Sequence, residues 1–236
     1  MKMNKLFATV VAAFISVSSF AQTVDEIVDK HIAALGGADK LKSVNTMVAE
    51  RSLSVQGMDI PTVSTLVVNK AVRTESTVMG NSMVQAFDGT SAWMIRPTMM
   101  GGTGEPEDMP ADQLNQLKGQ LDPFGPLFNY KEKGNKVELV GKEKVDKKDT
   151  YHLKVTTSTG DVTEQYIDAT TYLLTKTKAS ANGQDVEISF SDYKDVEGIK
   201  IAYVMDISNQ MGNLAFLTNK IKINGAVNDT VFKRPK

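Results

Sequence analysis

Val186-Glu187-Ile188-Ser189-Phe190, followed past the turn Glu197-Gly198 by Ile199-Lys200-Ile201-Ala202-Tyr203-Val204-Met205-Asp206-Ile207, is the stretch that decides the fold. Its bulkiest apolar residues fall at every second position. Successive side chains of a strand point to opposite faces, so the pattern predicts two strands, each with one buried face, joined by a hairpin. The same alternation recurs at Leu53/Val55, Val63/Thr65/Val67, Met83/Gln85/Phe87 and Tyr151/Leu153/Val155. Turn signals punctuate it at Gln56-Gly57, Gly80-Asn81, Asp88-Gly89, Ser158 to Asp161, Asn182-Gly183 and Gly212-Asn213. Turns spaced roughly ten residues apart predict an antiparallel meander. About eleven strands are expected in one continuous sheet, enough that the sheet should curl.

Two segments break the alternation. Thr23 and Glu26 form a T-x-x-E capping box, after which Val24, Ile27, Val28, His31, Ile32 and Leu35 recur at helical spacing up to Gly36-Gly37. A helix is expected there, with a further turn over Ala38 to Leu41. Residues 97–127 hold five of the seven prolines, and within them Ala111 to Leu121 reads as a short amphipathic helix with Leu114, Leu117 and Leu121 on one side. A long Pro/Gly/Met-rich insertion in a regular sheet is expected to be functional or mobile, here as a lid across one end or face.

The chain has 236 residues, 27 Lys+Arg against 28 Asp+Glu, 12 Met and no Cys. Lacking cysteine, it has no disulfide, thiolate zinc site, iron–sulfur cluster or cysteine nucleophile. A formal charge of −1 argues against nucleic acid as a partner. Lys2 and Lys5 precede the apolar run Leu6 to Val17, and Ser19-Phe20-Ala21 completes a secretory signal. Residues 1–21 are therefore expected to be removed, with Gln22 as the new N-terminus and residues 22–236 forming one domain. The apolar run is too short to span a bilayer. Because Gln22 and not a lipid-accepting Cys follows the cut, an exported, unlipidated periplasmic protein without a permanent membrane anchor is expected.

No nucleophile elbow, phosphate-binding loop, zinc-protease helix or dinucleotide fingerprint occurs. His31 lies on the apolar stripe of the first helix, and His152 should face opposite to Tyr151 and Leu153, towards solvent. Neither has a second histidine at ligand spacing, and no catalytic residue, metal ligand or cofactor site is assigned. Gly101-Gly102-Thr103-Gly104 leads into Glu105, Glu107 and Asp108, whose charge would repel a phosphate. The remaining carboxylates sit at hairpin ends among lysines, so a hydrolase is the weakest reading. Soft apolar residues are concentrated instead: Met79, Met83, Met94, Met99, Met100 and Met109 lie near Phe87, Trp93, Phe124 and Phe128. Methionine is flexible and polarisable, suited to surfaces that adapt to greasy ligands. Met83, Phe87, Trp93, Met94, Met99, Met100, Phe124 and Phe128 are the residues expected to form an apolar cavity or its lid, with strand alternation sending some of them outward. For Trp93 a core anchor is an equal alternative.

The stretch Phe87-Asp88-Gly89-Thr90-Ser91-Ala92-Trp93-Met94-Ile95-Arg96-Pro97 resembles the D-G-x-x-x-W-x-x-x-P hairpin of the LolA/LolB superfamily, in its Bacteroidetes-type lipoprotein-sorting branch. Thr23 to Gly37, Phe190 to Ile199 and Val231-Phe232-Lys233-Arg234-Pro235 resemble it too. The resemblance implies a mainly β (α+β) fold: an incomplete, strongly curved antiparallel barrel with helices in its concave face. It further implies a cavity for lipoprotein acyl chains or other lipids, an inner-membrane releasing transporter and an outer-membrane acceptor as partners, and a monomer acting as a lipid chaperone. At Asn69-Lys70-Ala71-Val72-Arg73 the sequence lacks the Arg-Pro step found before the third strand of LolA, so that arginine's role is not carried over. The alternative on the same fold is an envelope sensor or protein-interaction module.

Overall fold

The computed structural model describes residues 22–55, 57–181, 184–210 and 212–235; the expected signal peptide lies outside them. Two helices open the chain, α1 (Val24–Leu35) and α2 (Ala38–Lys42). Six strands follow: β1 (Thr46–Val55), β2 (Met58–Val67), β3 (Ala71–Val78), β4 (Asn81–Phe87), β5 (Ala92–Ile95) and β6 (Pro106–Asp108). After α3 (Ala111–Gly119) come β7 (Lys136–Val145), β8 (Lys148–Thr156), β9 (Val162–Asp168), β10 (Leu174–Ala181), β11 (Gln184–Val196), β12 (Ile199–Asn209) and β13 (Gly212–Ile223). All thirteen belong to one antiparallel sheet, ordered β6-β5-β4-β3-β2-β1-β13-β12-β11-β10-β9-β8-β7.

This topology is two meanders joined where the first strand pairs with the last, Met47 opposite Ile223 through Val55 opposite Leu214. The sheet is an open, curled barrel whose free edges are β6 and β7, and residues 109–135 carry the chain from one edge to the other. The strand count exceeds the expected eleven. One addition is β6, three residues in a stretch whose glycines and prolines read as loop; a proline fits there because an edge strand leaves some N–H groups unused.

α1 begins as expected. The Thr23 hydroxyl accepts from Glu26 N–H (3.2 Å), and the Glu26 carboxylate accepts from Thr23 N–H (3.1 Å). Its stripe Ile27, Val28, His31, Ile32 and Leu35 is buried on the inner face of the sheet. At its C-terminus Gly36 has φ 129°, and a Cβ there would collide with the carbonyl of Gly198 in the β11–β12 turn. Only glycine allows the helix end to sit that close. His31 is buried and its Nδ1–H donates to the Tyr172 carbonyl (2.7 Å); burial holds its pKa below the usual histidine value, so the ring is neutral.

The core is the inner face. Met47, Ala49, Leu66, Val72, Phe87, Leu153, Val155, Ile167, Ile199, Ile221 and Ile223 from the strands form one buried cluster with α1 and with Leu117, Leu127 and Phe128 of the 109–135 segment. A smaller cluster of Val84, Ala86 and Trp93 lies on the outer face, where Trp93 Nε1–H donates to the carbonyl of Phe232 (2.8 Å) in the 3₁₀ turn Asp229–Phe232.

Candidate functional site

The inner face changes character along its strands. Cross-strand partners share a face, so the register can be read as rows running across the sheet. Near the β2–β3 turn the row Phe87, Val72, Leu66, Met47 and Ile223 is fully packed. Towards the β1–β2 and β12–β13 turns two further apolar rows follow. The first is Ile60, Leu53, Phe216, Met205 and Phe190; the second is Met58, Val55, Leu214, Ile207 and Ile188. Each crosses the five strands β2, β1, β13, β12 and β11. None of the ten side chains belongs to either buried cluster; nine are half-buried and Met58 is 48% exposed. These rows form an open apolar wall.

Between the packed row and the wall lies a polar belt. Met83, Ser76, Thr62, Arg51 and Thr218 oppose one another in turn across β4, β3, β2, β1 and β13. Thr62 and Ser76 hydroxyls are 2.9 Å apart and buried.

The eight residues singled out from the sequence separate in the structure. Met83, Phe87 and Met94 lie on the inner face: Phe87 in the core, Met94 opposite Gln85 and buried, Met83 at the end of the polar belt. Phe124 and Phe128 meet edge to face at 5.6 Å and pack into the main core. Trp93 is on the outer face. Met99 and Met100 stand on the 3₁₀ turn Thr98–Met100, 53% and 47% exposed. Met99 Sδ lies 3.6 Å from Asn81 Nδ2, which brings the β5–β6 loop against the β3–β4 turn that carries exposed Met79.

The expected lid is two pieces at opposite ends of β2–β5. Residues 96–105 form the β5–β6 loop near the open wall, whereas α3 and the chain beyond it sit at the packed end. There Asn69 N–H donates to Leu121 O (2.9 Å), Lys133 Nζ pairs with Asp122 (2.5 Å), and Asn135 donates to Pro126 O (2.9 Å). Those bonds pin the second piece.

The apolar wall was missed in the sequence because its residues are spread over five strands between positions 53 and 216. The strongest clue present was the run Ile199 to Ile207, whose last two odd positions, Met205 and Ile207, reach past the core. On the outer face, His152 is indeed opposite to Tyr151 and Leu153. It is not solvated as expected but wedged between Glu143 (2.8 Å) and Glu164 (2.5 Å) and stacked on Tyr166. A depression of about 450 Å³ on that face is lined largely by polar residues, among them Ser54, Glu187, Ser189, Asp206 and Ser208. Among the described residues no group of three or more His, Asp or Glu is placed to hold a metal ion, and no helix is long and apolar enough to cross a membrane.

No protein-family model and no curated protein sequence matches this chain. Solved structures do. A LolA superfamily protein from Nitrosomonas europaea superposes with TM-score 0.59 at 14% identity, covering 91% of this chain and 99% of its own. A domain named for outer membrane lipoprotein sorting, from Vibrio parahaemolyticus, gives TM-score 0.56 at 13% identity, covering 88% and 94%. A DUF1329 family protein from Desulfovibrio piger gives 0.52 at 14%, covering 90% and 98%. With its open, curled antiparallel sheet and a helix packed on the inner face, this chain has the fold of the LolA-like superfamily.

Proposed function

We propose that this chain is an exported carrier that takes up the acyl chains of lipids, those of lipoproteins included, and moves them across the periplasm towards the outer membrane. The observation that carries this reading is the pair of apolar rows left outside the packed core. Five strands at about 4.8 Å spacing span roughly 20 Å, the reach of a long acyl chain. Burying such a chain contributes about 0.8 kcal/mol per CH₂, so uptake and release need no covalent chemistry. Met58 in the wall, and Met79, Met99 and Met100 in the β3–β4 turn and the β5–β6 loop, are exposed and have flexible side chains that adapt to cargo of varied shape. The likeness to a domain named for lipoprotein sorting supports the same reading. The expected removal of residues 1–21 would leave Gln22, not a lipid-accepting Cys, at the new N-terminus, in keeping with a carrier without a lipid of its own; an inner-membrane transporter that loads it and an outer-membrane acceptor would complete the route.

The test is to export the full chain in a bacterial host, purify it from the periplasm and analyse its organic extract by mass spectrometry. Acyl-lipid species are expected in stoichiometric amount. Ile207→Asp and Phe216→Asp should lower their recovery at least tenfold with little change in Tm, since a charge on the wall costs cargo burial and not core packing. A wild-type protein that emerges without lipid and binds no fluorescent fatty acid would overturn the proposal.

A further inference from the structure

We propose that Arg51 is an anion-recognition residue on the inner face, and that the lipid taken up there carries an anionic headgroup, a carboxylate or a phosphate. The inference rests on the acyl-carrier reading and specifies its cargo.

The chain has four arginines, and three are paired at the surface: Arg73 with Glu75 (2.6 Å), Arg96 with Glu107 (2.8 Å) and Arg234 with Asp108 (2.5 Å). Arg51 is different. It lies midway along β1 on the inner face, opposite Thr62 on β2 and Thr218 on β13. Its Nε is sealed from solvent without a hydrogen-bond partner, and so is the Thr218 hydroxyl across from it. No ion pair to Arg51 occurs among the described residues. Burial pulls its pKa below the ordinary arginine value, and no carboxylate offsets that burial. An arginine remains charged even so.

Arg51 is half-buried with its Nε sealed off, and a partly desolvated cation without a counter-charge carries a cost that an arriving anion relieves. Guanidinium presents paired N–H donors that match both carboxylate and phosphate. Thr62 is already engaged with Ser76 and the Ile60 carbonyl, which leaves the Thr218 hydroxyl as the additional donor. Position then fixes the rest of the ligand. Ala49, two residues before Arg51 on the same face, is buried in the core, whereas Leu53, two residues after it, starts the open wall. A headgroup at Arg51 therefore directs its acyl chain onto Leu53 and Phe216, away from the packed end.

The test uses the chain lacking residues 1–21 and measures binding of palmitate, palmitoyl lysophosphatidate, uncharged monopalmitoylglycerol and inorganic phosphate. Wild type should prefer the two anionic lipids over the glycerol ester by about tenfold or more. Arg51→Met should abolish that preference while leaving monopalmitoylglycerol affinity within about twofold, and its Tm should not fall, because no native partner is lost. Equal wild-type affinity for charged and uncharged lipids would overturn the headgroup assignment and leave the carrier reading standing. So would inorganic phosphate binding as tightly as lysophosphatidate, which would make Arg51 a site for free anions. A Tm several degrees lower in Arg51→Met would assign the residue to the fold. Failure of all three lipids to bind would overturn both proposals.

Discussion

Met47 and Leu53 stand on the same face of the same strand, three side-chain positions apart. Met47 shares a cluster with Ile27 and Leu117 and is buried; Leu53 stands outside that cluster and is half-buried. The same division runs across the neighbouring strands, Ile221 and Ile223 against Phe216 and Leu214, Ile199 and Ile201 against Met205 and Ile207. Side-chain chemistry is alike at both ends. What differs is the covering: α1 and the 109–135 segment lie on one end only. A strand pattern states which face is apolar, and the elements packed against it decide whether that face is core or binding surface.

The largest effects should separate the two ends. Leu153→Ala or Ile27→Ala, both fully buried, should cost about 2–5 kcal/mol in urea denaturation, because the packed end cannot collapse around the gap. Met205→Ala at the open end should cost under about 1 kcal/mol while weakening acyl binding. Equal stability losses at both positions would erase the distinction. A smaller effect concerns the outer face: Trp93→Phe removes the hydrogen bond to Phe232 and should cost about 1–2 kcal/mol without changing acyl affinity, measured by the same denaturation and by fatty-acid titration. Altered affinity would place Trp93 in the binding site after all.

His31 sharpens the comparison by pH. Its folded-state pKa is lowered, chiefly by burial, so below the ordinary value of 6.5 the unfolded chain binds the proton more readily. Stability should fall as pH drops below about 6.5, and His31→Gln should flatten that slope between pH 7 and 5 in thermal melts. Because His31 is held at the packed end, the open wall should not share this dependence. The smallest change is expected for Met99→Ser with Met100→Ser: both side chains are exposed, so stability should move by no more than about 0.5 kcal/mol, with any loss confined to lipid uptake.

The motifs that identified the fold turn out to be parts of its frame. Asp88 in the quoted hairpin accepts from the N–H groups of Thr90 and Ser91, chiefly the latter in depressing its pKa, and so shapes the β4–β5 turn. Trp93 of that hairpin meets Phe232 of the closing motif, and together they strap the C-terminal tail to the outer face. Asp195 accepts from Gly198 N–H (2.8 Å) to form the turn on which the end of α1 rests. Such positions demand particular local chemistry, a turn or an anchor, and so leave a recognisable pattern. A wall for acyl chains demands only apolar bulk, which many residues supply.

By itself the sequence determined the alternating strands, the capped first helix and the meander of turns, because each depends on neighbours within a few residues. It also placed methionines where the hairpin turns of the open end came to lie. Only the tertiary structure decided that β1 pairs with β13, that the proline-rich segment divides between two ends of the sheet, and that Arg51 faces inward without a partner. Those features depend on residues brought together from distant parts of the chain. Register across five strands, and the choice of which end the helices cover, are long-range outcomes that no local spacing encodes.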